Sequence, residues 1–431
     1  MTEPLPKITS LLRDDPIVVT GMGAVSAAGH GMSGLWDAML KRRSLADWVE
    51  VDRFQGGRTR RAGCAVTALD WAGHPWRGMA RRVDAGAQYA LHAAWQAAEA
   101  AGLLGNPVPA DRLGVICGTS RGPLEKWEEA SQLLRTGRRM KPTLAATTTL
   151  AVGAGALVQV MNARGPSWVV STACASGANA IAAAAEQILL GHADVMLAGG
   201  ADDALNAVVI AGLEAAGVLA GGDSDPATRC RPFGGDRTGL VPGSGAGMLV
   251  LESLSSARRR GLEPLAVLSG WSVGMDPAGL AGMHPQGAGL QRTMRGAMAM
   301  AGLDPGDIDY INAHGTGTVT NDAAEAAAIS AVFGSRTPPV SSSKSITGHC
   351  LGATPALEAA LCVEALRQGV LPPAFPDKTT DPACVGLTFS HGGPALDLRH
   401  VLSNSAAFWG FHASLLFSRW EQWGAHAPRV S

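Results

Sequence analysis

The stretch VVSTACASGANAIAAAAEQILLG (residues 169–191) decides how this chain reads, because a β-branched run meets an alanine-rich helical segment across a turn of small residues. Its one strongly reactive side chain, Cys174, falls in that turn. A cysteine placed there meets the positive end of the following helix, which lowers its pKa, and its small neighbours leave room for a bulky group. Taken alone, CASG is more often the mark of a buried structural cysteine.

Working outward, PIVVTGMGAVSAAG, RLGVICGTS, DVMLAGGAD, GAGMLVLES and LAVLSGWSV repeat the pattern of a buried strand ending in small residues. Between them lie helical segments such as VDAGAQYALHAAWQAAEAAGLL. The alternation indicates α/β layers around a mostly parallel sheet. A weak repeat adds to this. HCLGATPALEAALCVEALRQG in the second half mirrors CASGANAIAAAAEQILLG in the first, which puts His349 and Cys174 at equivalent helix starts near a pseudo-twofold axis. The opening GMGAVSAAG lacks the GxGxxG spacing of a dinucleotide loop.

Composition narrows the function classes. Of 431 residues, 46% are hydrophobic and 16% charged, with 55 glycines, which fits compact layers with many tight turns. Lys+Arg at 35 against Asp+Glu at 36 gives no global field to collect nucleic acid. Seven cysteines without a CxxC pair fit neither a disulfide framework nor a zinc site and point to a reducing, cytoplasmic compartment. The start MTEPLPKITSLLRDDP does not read as a signal peptide, and no uncharged run reaches the roughly 18 residues of a membrane span.

Three further stretches carry chemistry. INAHGTGTVTND places His314 after a short apolar run, with the hydroxyls of Thr316 and Thr318 in a glycine-rich loop; a lone histidine there is more often structural. SSSKSITGHCLGA sets Lys344 five residues before His349, in an apolar glycine-rich context unusual for a solvated lysine, with an exposed loop lysine as the alternative. LSNSAAFWGFHASLLF reads as two strands joined by a bend, with Phe408 near the apex and backbone N–H groups suited to an oxyanion hole, although an ordinary hairpin explains it nearly as well.

Together and in this order, TACASG, NAHGTGT, KSITGHCLGA, VVTGMGAVSAAG and SNSAAFWG resemble the β-ketoacyl-acyl-carrier-protein synthases of the condensing-enzyme superfamily, from about Ile17 to Phe417. The second histidine, in GHCLGA, matches the Cys-His-His elongating branch; the initiating type has Asn there, and thiolases need a second cysteine that AAFWGFHAS lacks. The resemblance implies a thiolase-like fold of two pseudo-symmetric α/β halves in a five-layered αβαβα core. The expected segments are an extension at 1–16, a half at 17–262 carrying the nucleophile, and a half at 263–431 carrying both histidines.

It also implies roles. Cys174 would take an acyl group, His314 and His349 would stabilise the enolate left by decarboxylation of a malonyl-carrier, and the N–H groups of Cys174 and Phe408 would hold the oxyanion. Lys344 would give electrostatic support, paired with Glu325, and Asp322 matches a further family position. Thr316 and Thr318 would bond the pantetheine arm, Phe408 would gate the primer, and Asn312, Glu358 and Asn404 would surround a structural monovalent cation. Arg121, Leu144, Phe408 and Trp409 would line the acyl pocket and its gating loop. Arg77, Arg81 and Arg82, with Arg135, Arg138, Arg139 and Lys141 nearby, would dock an acidic acyl carrier protein, although a solvated helix face explains them too. No cofactor is expected beyond the carrier's phosphopantetheine, and the assembly expected is a homodimer or a heterodimer with a related subunit, without nucleic acid or membrane.

Departures from the family pattern bear on substrate. Ala406, Ala407, Trp409, Phe411 and His412 replace the small or polar residues of the usual gate, and Trp409 is expected to alter its swing because a bulky ring is barred from glycine's conformations. Arg121 stands where an apolar pocket residue is usual, and Gly234 and Ser244 stand where acids are usual. The altered gate and Arg121 favour a specialised synthase with a polar, short, unsaturated or aromatic primer. The alternative is a non-catalytic or decarboxylating chain-length partner, which the intact Cys174, His314 and His349 oppose.

Overall fold

The computed structural model describes residues 6–52, 57–105, 108–222, 225–277, 279, 283–374, 380–395 and 397–423. Residues 1–5 of the expected extension and 424–431 of the second half lie outside them. Ten strands and six helices carry the architecture. The first half runs β1 (Ile17–Ser26), α1 (Ala85–Ala100), β2 (Leu113–Gly118), α2 (Val152–Met161), β3 (Ser167–Val170), α3 (Ser176–Leu189), β4 (Val195–Asp203) and β5 (Ser244–Ser253). The second repeats it as β6 (Ala266–Met275), α4 (Ala288–Ala301), β7 (Tyr310–Asn312), α5 (Val319–Phe333), β8 (Pro339–Ser341), α6 (Thr354–Gln368), β9 (His400–Ala406) and β10 (Phe411–Ser418).

Strand order is β3-β2-β4-β5-β1 in the first half and β8-β7-β9-β10-β6 in the second, and the directions agree pair by pair. β1 and β6 join the halves through Val18↔Val267 and Val19↔Ala266. The sheet is therefore mixed, and the expectation of a mostly parallel one is corrected. Only the outer strands of each half run parallel, while β4, β5 and β1, like β9, β10 and β6, alternate. A strand buried on both faces is an apolar run whatever its neighbour's direction, so the sequence does not encode that difference.

The layers follow from burial. α1 and α2 cover the outer face of the first half-sheet, α4 and α5 that of the second, and α3 and α6 pack between the two. The central helices fit because their facing residues are small: a Cβ on Gly177 would stand 2.8 Å from the Gly352 carbonyl oxygen, and one on Gly200 only 2.4 Å from it. That close approach brings the turns before α3 and α6 into contact.

Candidate active site

Cys174 sits between β3 and α3, two residues before the helix begins. Ala173 holds a left-handed φ of 49°, and the buried Ser176 hydroxyl ties the turn by donating to Ala173 O at 2.6 Å while accepting from Thr172 N–H at 2.9 Å. The thiol is buried against Val209, Leu213, Leu240 and Leu351, with Phe408 packed on the same cluster. Burial pushes its pKa up to about 12; Arg121 and Lys344 pull it back, and Asp202 adds to the rise. Desolvation thus outweighs the helix terminus invoked from sequence.

His314 follows β7, and its backbone is fixed from two sides. Glu325 Oε1 accepts from His314 N–H and Oε2 from Gly315 N–H, each at 2.7 Å, while the Lys344 ammonium donates to the His314 carbonyl. His349 precedes α6, with Nδ1 at 3.1 Å from the Thr354 hydroxyl. The two rings meet edge to face, centroids 5.4 Å apart at 83°. Burial first, then the Lys344 charge, holds both imidazoles well below the ordinary histidine pKa, so both are neutral at pH 7.

The lysine's partner differs from the expectation. Fully buried Lys344 pairs with Glu358 at 2.8 Å, not with Glu325, whose two oxygens are taken by backbone N–H groups. Asp322 accepts from Phe233 N–H at 2.7 Å and Gly317 N–H at 3.2 Å, holding the loop that bears Thr316 and Thr318, whose hydroxyls lie 2.9 Å apart. Asn312 Nδ2 donates to Ser403 Oγ at 3.4 Å, and Asn404 Oδ1 accepts from Ser414 Oγ at 2.9 Å.

A cleft of about 310 Å³ collects Cys174, His314, His349, Thr316, Thr318, Arg121 and Phe408. It does not include Leu144, which is buried at the start of the short helix Leu144–Thr147, so the expected pocket role of Leu144 is not seen in this chain. Trp409 is exposed beside the cleft and adopts φ 65°, the left-handed conformation that a bulky ring was expected to avoid. The bend is set by Gly410, where a Cβ would stand 1.8 Å from Asp276 O, and Trp409 takes the strain. His412 is buried with Nε2 at 3.6 Å from Asp276 Oδ2, and Ser244 donates to Asp203. Arg77, Arg81 and Arg82 are exposed on a separate surface, as are Arg135, Arg138, Arg139 and Lys141, the last paired with Glu129 at 2.5 Å.

One residue escaped the sequence reading. Asp202, at the end of β4, accepts from Thr119 Oγ1, Ser120 N–H and Gly352 N–H at 2.7 Å each and from Arg121 N–H at 3.1 Å. It thereby ties the loop beside Cys174 to the loop of His349. Burial raises its pKa to about 6. The available signal was an acid two residues after the glycines of an otherwise apolar run, LAGGADD.

A buried thiol facing two neutral imidazoles across a thiolase-like pair of half-sheets defines a carbon–carbon condensing enzyme of the acyltransferase type. Residues 14–257 match the N-terminal domain of beta-ketoacyl synthase and residues 265–376 its C-terminal domain, and the chain belongs to that family. The 3-oxoacyl-[acyl-carrier-protein] synthase 2 of Staphylococcus aureus is 36% identical over 409 residues, 94% of this chain and 98% of the relative. Nodulation protein E of Rhizobium leguminosarum bv. trifolii is 37% identical over 409 residues, 94% and 99% of the two chains. The solved ishigamide ketosynthase/chain length factor superposes with a TM-score of 0.84 at 30% identity, covering 94% of this chain and 99% of that one. Among the described residues no helix is long and apolar enough to cross a membrane.

Proposed function

We propose that the chain extends an acyl primer held on Cys174 by decarboxylative condensation with a malonyl group, both delivered on the phosphopantetheine of an acyl carrier protein. The observation that carries this is the convergence of Cys174, His314 and His349 on one cleft with both imidazoles neutral. The Cys174 sulfur attacks the primer thioester, its proton leaves with the departing carrier thiol, and an acyl-enzyme remains. The neutral imidazoles then donate N–H to the malonyl thioester oxygen. Carbon dioxide leaves, the enolate they stabilise attacks the acyl-Cys carbonyl, and the chain departs two carbons longer as a β-ketoacyl thioester.

Lys344 holds the His314 carbonyl and Glu325 its N–H, so both act by positioning, while Asp322 shapes the loop whose Thr316 and Thr318 receive the pantetheine arm. The N–H groups of Cys174 and Phe408 receive the oxyanion, with Phe408 as gate. Glu358 Oε2 is buried without a hydrogen-bond partner, which suits a monovalent cation shared with Asn312 and Asn404; such an ion would be structural, occupying that free oxygen. No other cofactor is called on. Arg77, Arg81 and Arg82 dock the carrier, and the active assembly is a dimer with a second copy or a related subunit. The seven unpaired cysteines suit the cytoplasm. The altered gate and Arg121 favour a specialised primer over long saturated chains.

The test is intact-mass spectrometry after incubation with a panel of acyl-carriers. Wild type should gain one acyl mass and Cys174→Ala none; absence of uptake from every carrier would sink the proposal.

A further inference from the structure

Arg121 is the charge in the cleft that the condensation chemistry leaves unused. It is exposed on the cleft wall that also carries Cys174, His314 and His349. Its backbone is anchored, since its N–H donates to Asp202 Oδ1 at 3.1 Å, so the side chain projects from a fixed point. Among the described residues its guanidinium has no ion pair, although most other cationic side chains near carboxylates do. Among the described residues, none lining the cleft is an aspartate or a glutamate. The other cation in reach, Lys344, is already neutralised by Glu358, and both histidines are neutral. Among the described residues Arg121 is thus the one charge on the wall without a counter-charge, five N–H donors in a planar fork that matches a carboxylate.

A fatty acyl chain would gain nothing from such a group and would have to desolvate it. An anion gains a charge-assisted contact from its fork of donors. We propose that Arg121 is a carboxylate-binding residue, holding a substrate carboxylate within reach of Cys174. This rests on the condensing function proposed above, and two substrates could bring that group: the malonyl extender, or a primer with a carboxylate at its far end.

The first test needs no carrier. Cys174 of the intact protein is alkylated with iodoacetate or with iodoacetamide, reagents of similar size that differ in the carboxylate. In both, the thiolate displaces iodide, an S–C bond forms as the C–I bond breaks, and the thiol proton passes to water. Incorporation is followed by peptide mass spectrometry at Cys174. Arg121→Gln should lower the iodoacetate-to-iodoacetamide rate ratio by about tenfold, with Arg121→Lys recovering part of it. An unchanged ratio overturns the proposal, and so does a ratio that Arg121→Lys and Arg121→Gln change alike.

The second test separates the sources. Acylation by hexanoyl-carrier and by adipoyl-carrier is compared with the KM for malonyl-carrier in wild type and Arg121→Gln. A loss confined to adipoyl transfer assigns the carboxylate to the primer, and a raised malonyl KM assigns it to the extender. Loss shared equally by hexanoyl transfer overturns the proposal. Failure of wild type to accept any carrier would instead remove the condensing function, leaving the alkylation ratio to judge Arg121.

Discussion

Lys344 and Glu358 face each other at 2.8 Å with neither side chain exposed, and the same ammonium donates to the His314 carbonyl. One buried cation therefore settles the charge of α6 and the path of the histidine loop together. Removing it leaves Glu358 buried and uncompensated, the situation in which breaking an internal pair is most costly. Lys344→Ala should lose about 3 kcal/mol or more in urea unfolding. Lys344→Met with Glu358→Gln should recover much of that loss without restoring condensation, because the His314 carbonyl still lacks its donor. Full activity in the double variant would show that the ammonium does no positioning.

Glu325 separates the two half-reactions. Its carboxylate holds the N–H groups of His314 and Gly315, both in the histidine loop and not in the turn that bears Cys174. Misplacing a reacting group by about 1 Å can cost about a hundredfold in rate. Glu325→Ala should therefore slow malonyl-carrier decarboxylation by up to about that factor. Acyl transfer to Cys174, followed by intact mass, should stay near wild type. An equal loss in both steps would mean that the whole cleft had collapsed.

Much of this was legible in the chain because the chemistry sits where backbones approach closely, and close approach leaves glycine and alanine in the sequence. The turns around Cys174 and His349 are of this kind: Gly177 and Gly352 cannot bear a Cβ without collision. The bend at 407–410 was readable as well, since two strand-like runs flank a small-residue turn, and they pair antiparallel across it. The partner of Lys344 was not. Glu325 and Glu358 both lie in alanine-rich helices, and only the packing of α6 between the half-sheets brings one of them to the ammonium. Leu144 does not line the cleft of its own chain, and a buried apolar residue reads alike in sequence wherever it packs. Asp202 was missed because its role lies in bonds to segments 80 and 150 residues away.

Trp409 carries backbone strain at φ 65°, with its ring more than half exposed, so little packing offsets the cost. A non-glycine residue in the left-handed region costs roughly 1–2 kcal/mol. Trp409→Gly should be more stable than Trp409→Ala by about 1 kcal/mol, since both remove the ring but only glycine removes the strain. The comparison is made from urea midpoints. Gly410→Ala should act oppositely and severely, because its Cβ would fall 1.8 Å from Asp276 O. Equal midpoints for the two Trp409 variants would show that the bend relaxes without cost.

Asp202 gives the pH-dependent case. Its four donors come from both sides of the cleft, three from 119–121 and one from Gly352. Burial raises its pKa from 3.8 to about 6, while those hydrogen bonds pull against the rise. Because the folded value lies above the unfolded one, the folded state binds the proton more tightly between them. The contribution of the carboxyl to stability is therefore fully present below about pH 4 and declines as pH rises through about 6. At roughly 1.4 kcal/mol per unit, the decline is about 3 kcal/mol. Asparagine does not titrate, so the stability of wild type relative to Asp202→Asn should fall by that order between pH 4 and 7 in urea unfolding. Asparagine also turns an N–H₂ toward backbone donors, so Asp202→Asn should lose condensation at every pH, while Asp202→Glu should restore part of it. A stability difference independent of pH would mean that burial leaves the Asp202 pKa at its unfolded value.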